Sequence, residues 1–344
     1  MESPQPHITP LRSQVLYGLY IALLFFPCLE AALWILGFRP YRQVAYSIES
    51  SPANCILPHA ELGFGLNPGT YEVTINHGLK YTVSHGEDSL RITTYKLRAE
   101  ASPDSVYFLG CSFTYGMGVS DSLTFPFLVN QYLPNTYTKN LGVPGYGTVQ
   151  AYLQIRRLIA QREIPGTIIL NYADFHDARN SLTPAYRRDL YMGYQRSDSL
   201  VQTRMHGSRI PYLSQENTNV HFCKWEDLYQ NWEYRETFAS VNFLQDLRDQ
   251  SQRRAIDARA NTIQLFSMIK ALCNEAHIRL VVTGITHSAE TKKMLALLEK
   301  SGIETLDISV DLSLKEYTNA PFDDHPNAVA HEIYAKKIID FLLP

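Results

Sequence analysis

The chain has 344 residues, with 31 Lys and Arg against 34 Asp and Glu, for a formal net charge of -3. That balance leaves no basic footprint, so a nucleic-acid partner is not expected. The length suits one sizeable α/β domain with accessory segments. The five cysteines (Cys28, Cys55, Cys111, Cys223 and Cys273) have neither a CxxC pair nor metal-ligand spacing, so they read as small apolar thiols with no metal or cofactor implied.

After a tail of residues 1–14, residues 15–38 run VLYGLYIALLFFPCLEAALWILGF, with Glu30 the one formal charge. About twenty such residues suffice to cross a bilayer, and membrane helices tolerate a proline such as Pro27. Glu30 stands toward the second half of the run, where tilting or snorkelling relieves its cost. A cleaved signal peptide fits less well, because the run is long and no small-x-small site follows it. Phe25-Phe26-Pro27 ahead of Cys28 argues against a lipoprotein signal. The expectation is a single uncleaved transmembrane helix with the lipid bilayer as partner. Arg12 on one side and Arg39 and Arg42 on the other leave its orientation open.

Residues 39–102 differ in character. Pro40, Pro52, Pro58 and Pro68 with Gly63, Gly65 and Gly69 mark turns. The stretches 71–75 and 79–83 alternate at period two around Asn76-His77-Gly78, which predicts a hairpin, and 90–95 suggests a third strand. This is a small β-rich segment between anchor and main domain.

From residue 103 to 344, strand-like and helix-like runs alternate. Strands are predicted at 106–109, 137–141, 167–172, 278–283 and 303–308, and helices near 124–133, 148–161, 261–276, 289–300 and 327–342. Such alternation indicates a parallel sheet covered by helices on both faces, an α/β three-layer sandwich. Residues 177–258 break the pattern. They are polar and tyrosine-rich, with Trp225 and Trp232, and too long for an ordinary connection, which points to a lid, a substrate-binding insertion or a docking surface.

Ser112 follows the strand 106–109 through a Gly-Cys turn, the position where α/β folds place their chemistry. A serine hydroxyl needs a base, and the base needs an orienting acceptor. The stretch Pro321-Phe-Asp-Asp-His-Pro-Asn327 offers His325 as base, with Asp323 or Asp324 as its acceptor. Pro326 suits the first turn of the helix that follows. His325 would then precede a helix amino terminus, whose dipole disfavours the imidazolium.

Three blocks together resemble the SGNH (GDSL-type) hydrolases. Gly110-Cys-Ser112-Phe-Thr114 is similar to their first block, with Cys111 where they usually carry Asp. Asn140-Leu-Gly142-Val-Pro-Gly145-Tyr-Gly147 resembles the second, and Asp323-Asp-His325-Pro-Asn327 the last. The resemblance implies a flavodoxin-like sandwich (the SGNH hydrolase fold), Ser112 as nucleophile, His325 as base, Asp323 as its carboxylate, and Ser112 and Gly142 as backbone oxyanion donors. The third block departs from the family. Ala173 stands where those enzymes carry a donating Asn, a loss that typically costs about 2.7–4 kcal/mol in the transition state. Asn171, two residues earlier, is a candidate replacement by strand alternation, and His176, Arg179 and Asn180 are candidates for substrate or oxyanion binding.

The resulting expectation is a serine esterase working through an acyl-enzyme, its substrate an ester such as an acylated envelope carbohydrate. The anchored members of the family further imply a catalytic domain outside the cytoplasm. An O-acyltransferase with the same triad, and a degenerate glycan- or protein-binding domain, are the competing readings.

Overall fold

A computed structural model describes residues 11–43, 46–95, 104–133, 135–195, 199–214 and 217–343. Helix α1 (Leu11–Ile35) comes first, then five short strands: β1 (Ile48–Ser51), β2 (Ile56–His59), β3 (Gly63–Leu66), β4 (Gly69–Ile75) and β5 (Leu79–His85). Strand β6 (Val106–Leu109) runs into the one-turn helix α2 (Ser112–Tyr115). Next come α3 (Phe125–Tyr132), β7 (Thr138–Asn140), α4 (Thr148–Ala160) and β8 (Thr167–Tyr172). The stretch that breaks the sequence pattern holds α5 (His176–Asn180), α6 (Pro184–Gln195), α7 (Ser199–Met205), the hairpin β9 (Arg209–Ser214) and β10 (Asn217–Lys224), and α8 (Ala239–Arg254). The chain closes with α9 (Ala258–Glu275), β11 (Arg279–Thr286), α10 (Ala289–Lys300), β12 (Glu304–Val310), the two-stranded pair β13 (Thr318–Asn319) and β14 (Asp323–Pro326), and α11 (Ala328–Leu342).

Five strands form one sheet in the order β12-β11-β8-β6-β7, and every pairing in it is parallel. Counted along the chain, this is the doubly wound order whose crevice opens between the first and third strands, here β6 and β8. Alternation along each strand sorts its side chains to two faces. Tyr107, Leu109, Ile168, Leu170, Leu280 and Val282 pack under α4, α9 and α10. Val106, Phe108, Ile169, Val281, Ile308 and Val310 pack under α3 and α11. The predicted three-layer α/β sandwich is therefore present.

The β-rich segment builds a third core. Strands β1, β4 and β5 form an antiparallel sheet, and Tyr71, Val73, Ile75, Tyr81 and Val83 lie buried on one face with Met117, Val143 and Tyr146. The hairpin at Asn76-His77-Gly78 is as expected, with Asn76 and His77 at φ 47° and 56°. The expected third strand at 90–95 is not formed. Arg91 makes single bridges to His85 and Asn140, because its side chain is drawn inward, as described below.

The chain divides into two compact units, one of residues 1–44 with 230–254 and the other of 45–229 with 255–344. In the first unit α1 carries the apolar span Gln14–Ile35, of hydropathy 1.9 and 6% buried. It is long and apolar enough to cross a membrane, properties that an N-terminal signal sequence shares. Sequence left Glu30 to snorkelling, but its carboxylate accepts from the backbone N–H groups of Ala239 and Ser240, each at 2.9 Å. It thereby caps the first turn of α8, whose N–H groups have no intrahelical partner. Phe26 and Phe38 meet Phe238 and Phe243 edge to face at 5.0 and 4.7 Å beside it.

Candidate active site

Ser112 is the first residue of α2, immediately beyond the carboxyl end of β6. The turn requires Gly110, since a Cβ there would collide with the Thr114 side chain and come within 3.2 Å of Asn171. Cys111 is fully buried in the core between the sheet and α11, so its thiol offers nothing to the cleft. Gly116, at φ 86°, ends the one-turn helix in the left-handed conformation.

His325 reaches Ser112 from β14. Its Nε2 is 2.9 Å from the Ser112 Oγ, and its Nδ1 is 2.9 Å from both Asp323 carboxylate oxygens. A carboxylate can only accept, so Nδ1 carries the proton and donates to Asp323, while Nε2 accepts from the serine hydroxyl. Burial alone would raise the Asp323 pKa. Hydrogen bonds from His325 and Tyr46 outweigh it and leave the carboxyl below its ordinary value. Asp323 is therefore ionised at neutral pH. The Phe113 ring meets the imidazole edge to face at 5.5 Å. Asn319 holds the turn, donating from Nδ2 to the carbonyls of His325 and Pro326 at 3.1 and 3.3 Å.

Pro326 does not open the last helix as expected. It ends β14, and Asn327 caps α11 by accepting from the Ala330 N–H at 3.2 Å. A capping asparagine supplies the acceptor that a proline cannot, so the helix starts two residues later.

The end of α2 is fixed by a residue the sequence did not single out. Arg91 is 1% exposed. Its Nε donates to Asp121 at 3.0 Å, Nη1 to the carbonyls of Tyr115 and Gly116 at 2.7 and 2.6 Å, and Nη2 to the Val119 carbonyl at 2.6 Å. Asp121 also accepts from the Ser84 N–H at 3.1 Å, which ties the same group to β5.

Several expected residues stand elsewhere. The Gly142 N–H is donated to the Asn140 side chain at 3.0 Å, and Gly142 is buried. Gly145 fits the role better. It has φ +88° and is partly exposed, and its N–H has no partner among the described residues. The Ser112 N–H is likewise unpaired among them. Asn171 points to the expected face, but its amide donates to the Leu109 carbonyl at 3.1 Å and accepts from Thr283 at 2.6 Å. It is part of the sheet and is no substitute for an oxyanion donor. Ala173 is fully buried.

The three polar candidates, all within α5, also serve the fold. His176 is 1% exposed and lies against the Tyr172 and Phe175 rings. Arg179 donates to the Tyr146 carbonyl at 2.8 Å and lies 4.4 Å over the Phe175 ring. Asn180 accepts from the Val149 N–H at 3.0 Å and donates to Thr262 at 2.9 Å. The cap position of α4 is Gly147, which has no side chain, and a Cβ there would lie 2.6 Å from the Asn180 oxygen. Asn180 thus caps α4 from another helix. Asn180→Ala is expected to cost about 1–2 kcal/mol in urea denaturation, with little change in labelling at Ser112.

Three buried histidines set the acid response. Burial depresses His85 to about 4 and His331 to about 3. Burial with the nearby Arg179 takes His176 well below its ordinary value. Unfolded histidine binds a proton near pH 6.5, so between that pH and the folded values the unfolded chain holds more protons. Stability is therefore expected to fall as pH drops from 6.5 toward 4, by up to about 1.4 kcal/mol per pH unit for each histidine. Urea midpoints measured across that range check this. A flat profile would mean that these rings titrate normally.

A serine, a histidine and a carboxylate in one hydrogen-bonded chain, at the crevice of a doubly wound sheet, is the arrangement of a serine hydrolase. No family model matches the sequence, and no curated protein does. Solved structures do. A putative G-D-S-L family lipolytic protein from Desulfitobacterium hafniense DCB-2 is 12% identical with a TM-score of 0.37, over 70% of this chain and 99% of that one. A G-D-S-L family member from Veillonella parvula DSM 2008 is 10% identical with a TM-score of 0.37, over 69% and 97%. A catalytic mutant of an acetylxylan esterase from Geobacillus stearothermophilus is 10% identical with a TM-score of 0.34, over 71% and 95%. At these levels the likenesses carry no argument about activity, and the functional reading rests on the site.

Proposed function

We propose that this protein is a serine esterase acting through an acyl-enzyme. The observation that carries the reading is the unbroken chain from the Ser112 hydroxyl through His325 to the ionised Asp323. Ser112 Oγ attacks the ester carbonyl as His325 Nε2 takes its proton. The tetrahedral intermediate collapses as that proton passes to the leaving alkoxide, and the alcohol departs. Water, activated by the same imidazole, then releases the acid and restores Ser112. Asp323 holds the imidazole in the required tautomer and stabilises its charge. The N–H groups of Ser112 and Gly145 are the oxyanion donors, with no side-chain donor at position 173.

The substrate follows from the setting. With α1 as a single-pass anchor and the catalytic unit outside the cytoplasm, an acylated envelope carbohydrate is the ester within reach. Transfer to a sugar hydroxyl uses the same groups, so the acceptor decides between hydrolysis and transfer. The test is acyl release from an aryl acetate by the full chain in detergent, with and without added oligosaccharide. Acetate release unaffected by the sugar supports the esterase. Acetylated sugar formed in place of acetate would replace it with a transferase, and no turnover at all would remove both.

A further inference from the structure

Asp323 receives a second donor from far away in sequence. The Tyr46 hydroxyl donates to its Oδ1 at 2.9 Å, the oxygen that also faces His325 Nδ1. Tyr46 is held by its neighbour, since Ser47 donates its N–H to the Asn76 side chain and accepts from the Asn76 N–H, both at 3.0 Å. Strand β1 follows at once and pairs with β4 from Ile48↔Ile75 onward. Asn76 also donates to the Phe322 carbonyl at 2.7 Å, one residue before Asp323. The Phe322 ring lies so close over Gly78 that a Cβ there would collide with it. The β-rich segment thus grips the loop carrying Asp323 at its backbone, its aromatic neighbour and its carboxylate.

We propose that Tyr46 is a positioning residue for the acid–base pair, its hydroxyl sharing the Asp323 carboxylate with His325 and so tuning both the orientation and the basicity of the imidazole. The inference rests on the serine-hydrolase reading for its consequence, but not for its geometry. A donor on Asp323 withdraws charge from the carboxylate, so less is left to stabilise the imidazolium. Removing that donor raises the affinity of His325 for a proton, and strengthening it lowers that affinity. The other titratable groups near the pair are Tyr81 toward Asp323, Asp324 toward Tyr46 and His331 toward His325, with Arg91 acting on Tyr81 and His331. Burial keeps Tyr81 and His331 neutral, and none of these groups changes in the variants below.

The test is the titration of His325 in the full-length chain in detergent, followed by NMR with isotopically labelled histidine and assigned by its loss in His325→Gln. Tyr46→Phe is expected to raise the midpoint by about half a pH unit. A ring-fluorinated tyrosine at 46, a stronger donor of almost the same size, is expected to lower it. Asn76→Gly, which keeps the left-handed backbone but removes the amide that holds Ser47 and the Phe322 carbonyl, is expected to raise it by less than Tyr46→Phe does. In turnover, the acidic limb of kcat/KM moves with each midpoint, and Tyr46→Phe slows kcat by about threefold to tenfold. Identical His325 midpoints in wild type, Tyr46→Phe and the fluorinated chain would overturn the proposal. Because the titration needs no turnover, it stays readable even if Ser112 proves unreactive and the hydrolase reading fails.

Discussion

Replacing His325 with Gln is expected to lower kcat/KM on a short-chain aryl ester by about 10⁴–10⁶-fold while leaving the fold intact. In the proposed mechanism the imidazole both removes the Ser112 proton and returns it to the leaving alcohol, and its Nε2 is 2.9 Å from Oγ. Glutamine fills a similar space and can hydrogen-bond to either neighbour, but it cannot accept a proton at neutral pH. The side chain is 21% exposed, so the substitution buries no new polar group and should shift the urea midpoint little. What survives is the contribution of binding and of the backbone oxyanion donors. A variant that kept more than about a hundredth of the wild-type rate would mean that another base serves Ser112.

Arg91→Met is expected to have the largest effect on stability, about 3–5 kcal/mol in urea denaturation. The guanidinium is wholly buried and its donors meet one carboxylate and three carbonyls. Methionine leaves Asp121, 3% exposed, as a buried charge with its ion-pair partner gone. It also leaves the Tyr115, Gly116 and Val119 carbonyls without these donors in a dry site. Arg91→Lys is expected to recover only part of the loss. An ammonium can pair with Asp121 but cannot span the four acceptors as a planar fork does. Two of those carbonyls close the turn that begins at Ser112, so fluorophosphonate labelling should slow in both variants beyond what the unfolded fraction explains. A stability change under about 1 kcal/mol for Arg91→Met would contradict the claim that this group pins α2.

The regular part of the fold was legible because it is written in local periodicity. The five sheet strands and their covering helices fall within a few residues of where alternation and amphipathic spacing put them. Ser112 and the Asp323–His325 pair were legible for a related reason, since each sits in a short segment whose residue types are unusual together. The failures share one physical cause, that a side chain's partner is set by tertiary contact. Gly142 was named as the second-block donor because nothing in the sequence shows that Asn140 folds back onto its N–H. Asn180 looked like a cleft residue, but it caps a helix whose own cap position is a glycine. Pro326 matched a helix-start rule that Asn327 satisfies better. Arg91 fell in a stretch read only as a third strand, and only the convergence of β5, α2 and the loop after it makes an interior cation tolerable. Tyr46 lies 277 positions from the carboxylate it touches, and no local signal could have joined them.

The most direct measurement is covalent labelling of the full-length chain, folded in detergent, with a serine-directed fluorophosphonate. Wild type and Ser112→Ala would be compared side by side, with mass spectrometry to locate the adduct. The account predicts stoichiometric modification of wild type at Ser112, none in Ser112→Ala, and parallel loss of aryl acetate turnover. A folded wild-type chain that neither labels nor turns over would contradict it, and so would an adduct on any residue other than Ser112.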